Sequence, residues 1–129
     1  MDTLNGLVIF NATPHPVTLG YGVAYENTLL VQPDERIDAR PVEREAGHIT
    51  GPDGEVRATL IRTEFVGTDE GRAAIDRARA AGADVIVGSI IAAQAYPGEV
   101  VAMVPCPGFE RVPPDQKRMR ADKFTTVGL

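Results

Sequence analysis

The chain has one cysteine, Cys106, in 129 residues, so an intrachain disulfide is excluded. It has no tryptophan, four phenylalanines and three tyrosines. A multi-aromatic platform for stacked bases is therefore not expected, and the core must come from Val, Ile, Leu and Ala. No apolar run approaches the roughly 20 residues of a membrane span. The opening MDTLNGLVIF carries an acid at position 2 and no basic segment, so no secretory signal is read, and a cytoplasmic protein with no membrane partner is the expectation. Neither G-x-G-x-x-G nor G-x-x-x-x-G-K-[ST] occurs, which excludes the dinucleotide fingerprint and the Walker phosphate loop. Thirteen bases against eighteen acids leave a net charge of −5, too acidic for a duplex-DNA footprint.

What is present is an ordinary globular composition, 43% hydrophobic and 24% charged, of a length for one domain over residues 1–129. Leu7–Phe10 (LVIF) reads as a buried strand between Asn5-Gly6 and the proline-fixed turn Asn11–Pro16. Residues 17–19 and 23–31 continue in strand composition, with Gly20 and Gly22 between them. Residues 36–45 alternate as an edge strand, because Pro41 cannot donate to a central ladder. Gly51-Pro52-Asp53-Gly54 is a turn that closes a hairpin onto residues 56–62.

The pattern changes at Thr68. Thr68-Asp69-Glu70 supplies an N-cap and first-turn acids, Ala74, Ile75, Ala78 and Ala81 share a face, and Gly82 suits a C′ position. A strand over 84–87, a short helix over 89–96 ended by Pro97-Gly98, and a strand over 99–104 follow. Residues 109–120 read mostly as loop, with a last short strand over 123–127. The fold class expected is α/β or α+β: a single domain with an N-terminal β-meander, then a helix and a β-α-β unit in a mixed sheet. Residues 105–129 are expected as an extended C-terminal arm.

Four places could carry chemistry. Gly88-Ser89 ends a strand and opens a helix, so it could receive an anion or simply cap the helix. Gln94 is the one amide among Ala92, Ala93 and Ala95, free to bind a ligand or tie down a loop. Thr13 and His15 follow the first strand, where His15 could serve as base or donor, or only lock a turn. Arg111, Lys117, Arg118, Arg120 and Lys123 form a basic cluster that could close over an anion or remain solvated. Cys106, between two prolines, reads as a passive buried thiol. His15, His48 and Cys106 lack paired metal-ligand spacing, so no metal and no cofactor are expected.

Two of these patches resemble a known group. Asn11-Ala12-Thr13-Pro14-His15 is similar to the Asn-Leu-Thr-Pro-His opening of a group of small phage and prophage proteins. Gly88-Ser89-Ile90-Ile91-Ala92-Ala93-Gln94 is similar to that group's later Val-Ser-x-x-Val-Ala-Gln segment. Ala12 stands where the group has Leu, and Tyr96-Pro97-Gly98 stands where an Arg-Asp pair often follows the Gln. The resemblance implies a phage origin and a role in binding host factors or signalling nucleotides.

The expected function is a non-catalytic small-ligand-binding protein for an anionic metabolite or nucleotide, with a host signal as one candidate. Thr13, His15, Gly88, Ser89, Gln94, Arg118 and Arg120 are the expected ligand-binding residues, and no catalytic residue is assigned. Two alternatives stand beside it: a small hydrolase or transferase using His15 or Cys106, and a homo-oligomeric interaction module or inhibitor of a host enzyme.

Overall fold

A computed structural model describes residues 1–128. Nine strands and two helices follow in the order β1 (Asp2–Leu4), β2 (Leu7–Asn11), β3 (Val17–Tyr21), β4 (Asn27–Val31), β5 (Arg40–Thr50), β6 (Val56–Val66), α1 (Asp69–Ala80), β7 (Val85–Gly88), α2 (Ile90–Ala95), β8 (Val100–Pro105) and β9 (Met119–Thr125). Seven strands form one mixed sheet in the order β1-β2-β7-β8-β9-β3-β4, and β5 with β6 forms a separate two-stranded ribbon. The domain is α+β in composition, with β7-α2-β8 as its β-α-β unit in parallel pairing.

The first half runs as three successive hairpins rather than one continuous meander. β1 pairs with β2, β3 with β4 and β5 with β6, but β2 is joined laterally to β7 and β3 to β9, both in parallel. The C-terminal tail is not an arm. Its strand β9 lies inside the sheet, antiparallel to β8 and parallel to β3. It begins at Met119, earlier than the sequence suggests, because pairing on both sides overrides the weak strand character of Arg120-Ala121-Asp122.

The sheet curls so far that its ends meet. Asn11, at the end of β2, donates from Nδ2 to the carbonyl of Val31 at the end of β4, at 3.1 Å. One core fills the inside of this near-barrel: Ile9, Leu19, Val31, Val87 and Ala121, with Val17, Met103, Met119 and Phe124 packed against them. A second core lies outside, under the helices: Phe10, Ile37, Ala74, Ile75, Ala78, Ile86, Ala92, Tyr96 and Val100. β7 is therefore apolar on both faces, Ile86 to the helices and Val87 to the barrel, which explains its uninterrupted Val-Ile-Val run. Burying each such aliphatic side chain contributes about 1.5–3 kcal/mol.

Local signals set the helices. The Thr68 side chain accepts from Gly71 N–H at 2.9 Å, and Asp69 and Glu70 complement the positive helix end. Gly82 ends α1 with φ of 98°, a left-handed conformation that costs a glycine nothing. No helix among the described residues is long and apolar enough to cross a membrane.

Candidate functional site

The open end of the near-barrel carries a groove of about 610 Å³. The loop after β2 supplies Thr13, His15 and Pro16, and Val17, Thr18 and Leu30 come from β3 and β4. Met103 and Met119 form part of the floor, while Pro114, Asp115 and Lys117 close the other side. The volume suits a small ligand, and a mostly apolar lining with a few polar groups is the usual make-up of such a site. The groove lies where β2 and β8 end at their carboxyl termini, the end of parallel strands where ligands are commonly held.

Asn11 does not line the groove itself but holds in place the turn that supplies Thr13 and His15. Its side chain is fully buried, and its Oδ1 accepts from Thr13 N–H at 2.9 Å and from Thr13 Oγ1–H at 2.6 Å. Its Nδ2 donates to the carbonyls of His15 and Val31, at 2.9 and 3.1 Å. Both ends of the amide are therefore satisfied, and they hold the Thr-Pro-His turn against the end of β4. Thr13 Oγ1 also lies 2.9 Å from the His15 carbonyl. The backbone of His15 is pinned, while its exposed imidazole hydrogen-bonds no other described residue. The Lys117 ammonium, across the groove, donates to the Glu110 carbonyl at 3.2 Å.

The structure brings together only part of the expected set. Thr13 and His15 share the groove. Gly88 and Ser89 leave the neighbouring strand at the same end, since Ala12 N–H donates to the Val87 carbonyl at 2.8 Å, but neither lines the groove. The Ser89 side chain accepts from Ala92 N–H at 3.0 Å, so it caps α2. Gly88 is needed for packing: a β-carbon there would lie 2.7 Å from Val100 Cγ1 and 3.4 Å from Ala92 Cβ. Gln94 is solvent-exposed, and its amide pairs with no described residue.

Arg118 and Arg120 face away from the groove. Met119 and Ala121 point into the barrel, so the alternating side chains of β9 point outward. Arg118 donates to the Tyr25 carbonyl at 3.0 Å and stacks 4.8 Å from the Phe109 ring centroid. Arg120 donates to both carboxylate oxygens of Asp122, at 2.9 and 3.2 Å, and lies 5.2 Å from the Tyr25 ring centroid. The Arg120 hydrogen bond holds the Asp122 carboxyl below the ordinary aspartate range. Both cations are thus engaged within the protein, and the expected closing arginines are replaced in the groove by Lys117.

Cys106 is buried close to Gly20 and Arg118. Burial pushes its thiol pKa up, against the opposing pull of the Arg118 charge. His48 is on β5, paired with Glu45 at 2.7 Å. Among the described residues no group of three His, Cys, Asp or Glu side chains is placed to hold a metal.

A second cleft, of about 430 Å³, lies between residues 35–38 and the first turns of α1. The Arg77–Glu35 ion pair belongs to its lining, so its charges are largely matched. The sequence places Lys117 in the basic cluster but does not distinguish it from Arg118 and Arg120, and it does not single out Asn11 as the residue that holds the turn. The signal for Asn11 was its place ahead of Thr-x-His, where an Asx side chain commonly bonds the backbone two residues on. No family model, curated protein or solved structure matches this chain.

Proposed function

We propose that the protein is a non-catalytic small-ligand-binding protein that takes an anionic metabolite or nucleotide in the groove at the barrel end. The observation that carries this reading is the pairing of a pinned turn with an unengaged imidazole. Asn11 fixes the backbone of Thr13 and His15, leaving the His15 side chain open toward a groove that also contains Lys117. Fixing the loop in advance reduces the ordering cost of binding. Met103, Met119, Val17 and Pro114 offer an apolar bed for the body of the ligand, and the His15 and Lys117 side chains offer donors to its anionic group. The raised pKa of buried Cys106 argues against a nucleophilic thiol. The resemblance to small phage proteins supports a binder that sequesters a host signalling nucleotide.

Native mass spectrometry of protein purified from cells, followed by thermal shift against a nucleotide panel, tests this. A retained ligand or a shift that is lost in both His15→Ala and Lys117→Ala is expected. No retained ligand and no shift across the panel overturns it.

A further inference from the structure

The β5–β6 ribbon stands apart from the sheet, and its two edges differ. A strand of 11 residues extends about 36 Å, and an isolated two-stranded hairpin is at best marginally stable in water. Only the base of β6, Glu64 to Val66, is shielded; residues 56–63 are all exposed. The edge of β5 is blunted by the devices that keep strands from pairing with strangers. It has Pro41, the charged run Glu43-Arg44-Glu45, and an extra residue, Ala46, where the register steps from Glu45 to Gly47. β6 has its one irregularity at Arg57, between the partners of Ile49 and Thr50. From Ala58 to Thr63 it has no inserted residue, the Ala46 bulge being on β5 opposite Leu60 and Ile61, and it is free of Pro and Gly and exposed, with Leu60 and Ile61 at 46% and 51%.

We infer that the β6 edge is a homodimer interface, at which Ala58–Arg62 pairs antiparallel with the same segment of a second copy across a two-fold axis at Leu60. A two-fold axis normal to an antiparallel ladder places residues of like face opposite each other. Centred on Leu60, it sets Leu60 beside its own mate, Thr59 beside Ile61 and Ala58 beside Arg62. No like charges meet, and β-branched or aliphatic side chains face one another at the centre, the pairs that stabilise sheets. Moving the centre to Ile61 sets Leu60 against Arg62 and draws the shielded Glu64 into the ladder opposite Ala58. Moving it to Thr59 pairs through the irregular Arg57. The Leu60-centred register is the one that uses only the uninterrupted, exposed segment. The product is a four-stranded sheet, β5-β6-β6-β5, in which the blunted β5 strands are outermost and no regular edge is left open. The groove residues take no part, so this inference does not depend on the ligand-binding proposal.

The test is sedimentation equilibrium of the full chain with two double variants, each checked by circular dichroism for an unchanged melt. Wild type is expected to be dimeric. Thr59→Lys/Ile61→Lys opposes like charges twice across the axis and is expected to weaken the dimer by about tenfold or more, whereas Thr59→Glu/Ile61→Lys opposes unlike charges and keeps it, with the lysine at position 61 facing Glu45 of its own hairpin in both variants. Both positions are exposed, so neither change is expected to disturb folding. A monomeric wild type overturns the inference, as does a dimer that responds to both variants alike.

Discussion

The hydroxyl of Tyr96 occupies the space beside Gly71 where a β-carbon would stand: that carbon would lie 1.9 Å from the Tyr96 oxygen. The same hydroxyl accepts from Thr68 N–H at 2.9 Å and donates to the Asp38 carbonyl at 3.0 Å. One buried phenol thus joins the start of α1, the end of α2 and the segment leading into β5. Gly71→Ala should therefore destabilise the protein even though alanine favours helices by up to about 1 kcal/mol over glycine. The tyrosine cannot retreat without breaking two hydrogen bonds in a packed core. A net loss of about 2–4 kcal/mol is expected in urea unfolding. Tyr96→Phe should cost about 1–2 kcal/mol for the two groups left unpaired. In the Phe background the Gly71→Ala cost should shrink without vanishing, because the ring carbon Cζ is itself only 2.7 Å from the added carbon. Strict additivity of the two changes would show that the hydroxyl is not what constrains residue 71.

Asn11 is the corresponding clamp at the groove. Asn11→Ala removes the partner of two N–H or O–H donors and of two carbonyls at a side chain that is itself fully buried. A loss of about 2–4 kcal/mol is expected. Asn11→Asp retains the acceptor for Thr13 but turns a carboxylate oxygen toward the His15 and Val31 carbonyls, so it should not rescue the loss. Hydrogen exchange read at Thr13 and His15 should accelerate more than exchange in α1. Uniform acceleration would mean that Asn11 supports the whole fold and not the turn in particular.

The elements that short-range chemistry specifies were legible in the sequence. Thr68, Asp69 and Gly82 mark the limits of α1, and Ser89 with Pro97-Gly98 brackets α2. Long-range pairing was not. Nothing local in Arg120-Ala121-Asp122 says that the segment will lie between β8 and β3, and the ribbon was read too short because Ala46 and Gly47 interrupt its alternation. The same limit shaped the site. Thr13 and His15 could be found as a turn after a strand. Whether Arg118 would face the same groove depended on β9 having Met119 turned inward, a fact of tertiary register. Gln94 stands among alanines in sequence, but Ala92 and Ala93 alone form the buried face of α2, which leaves Gln94 at the surface.

Cys106 should behave as a protected thiol. It is 1% exposed, and burial raises its pKa despite the nearby Arg118. Alkylation in native buffer should be far slower than for a free cysteine at the same pH, and its rate should climb through the urea unfolding transition. The sign for stability follows from the raised value. The folded state favours the neutral thiol, so stability is complete below the ordinary thiol pKa and declines as alkaline pH ionises the unfolded chain first. Fast native alkylation would contradict the enclosed position.

Asp122 sets the opposite pH dependence. The Arg120 hydrogen bond is the main cause lowering its pKa, partial desolvation opposes it, and the Tyr25 hydroxyl at 3.1 Å adds to the lowering. A folded-state pKa below the unfolded 3.8 stabilises the protein at pH values above that number, and the gain is lost as pH falls through 3.8 toward the folded value. The carboxylate is at the surface and screened by solvent, so the contribution is small and salt-sensitive. Asp122→Asn should lower the melting temperature modestly at pH 7, and the difference should shrink progressively at acid pH below 3.8, narrowing the acid-side fall in stability. Raising the salt concentration should shrink the pH 7 difference. An equal loss at pH 7 and at acid pH would place the effect of Asp122 in packing of the Tyr25 ring and not in its charge.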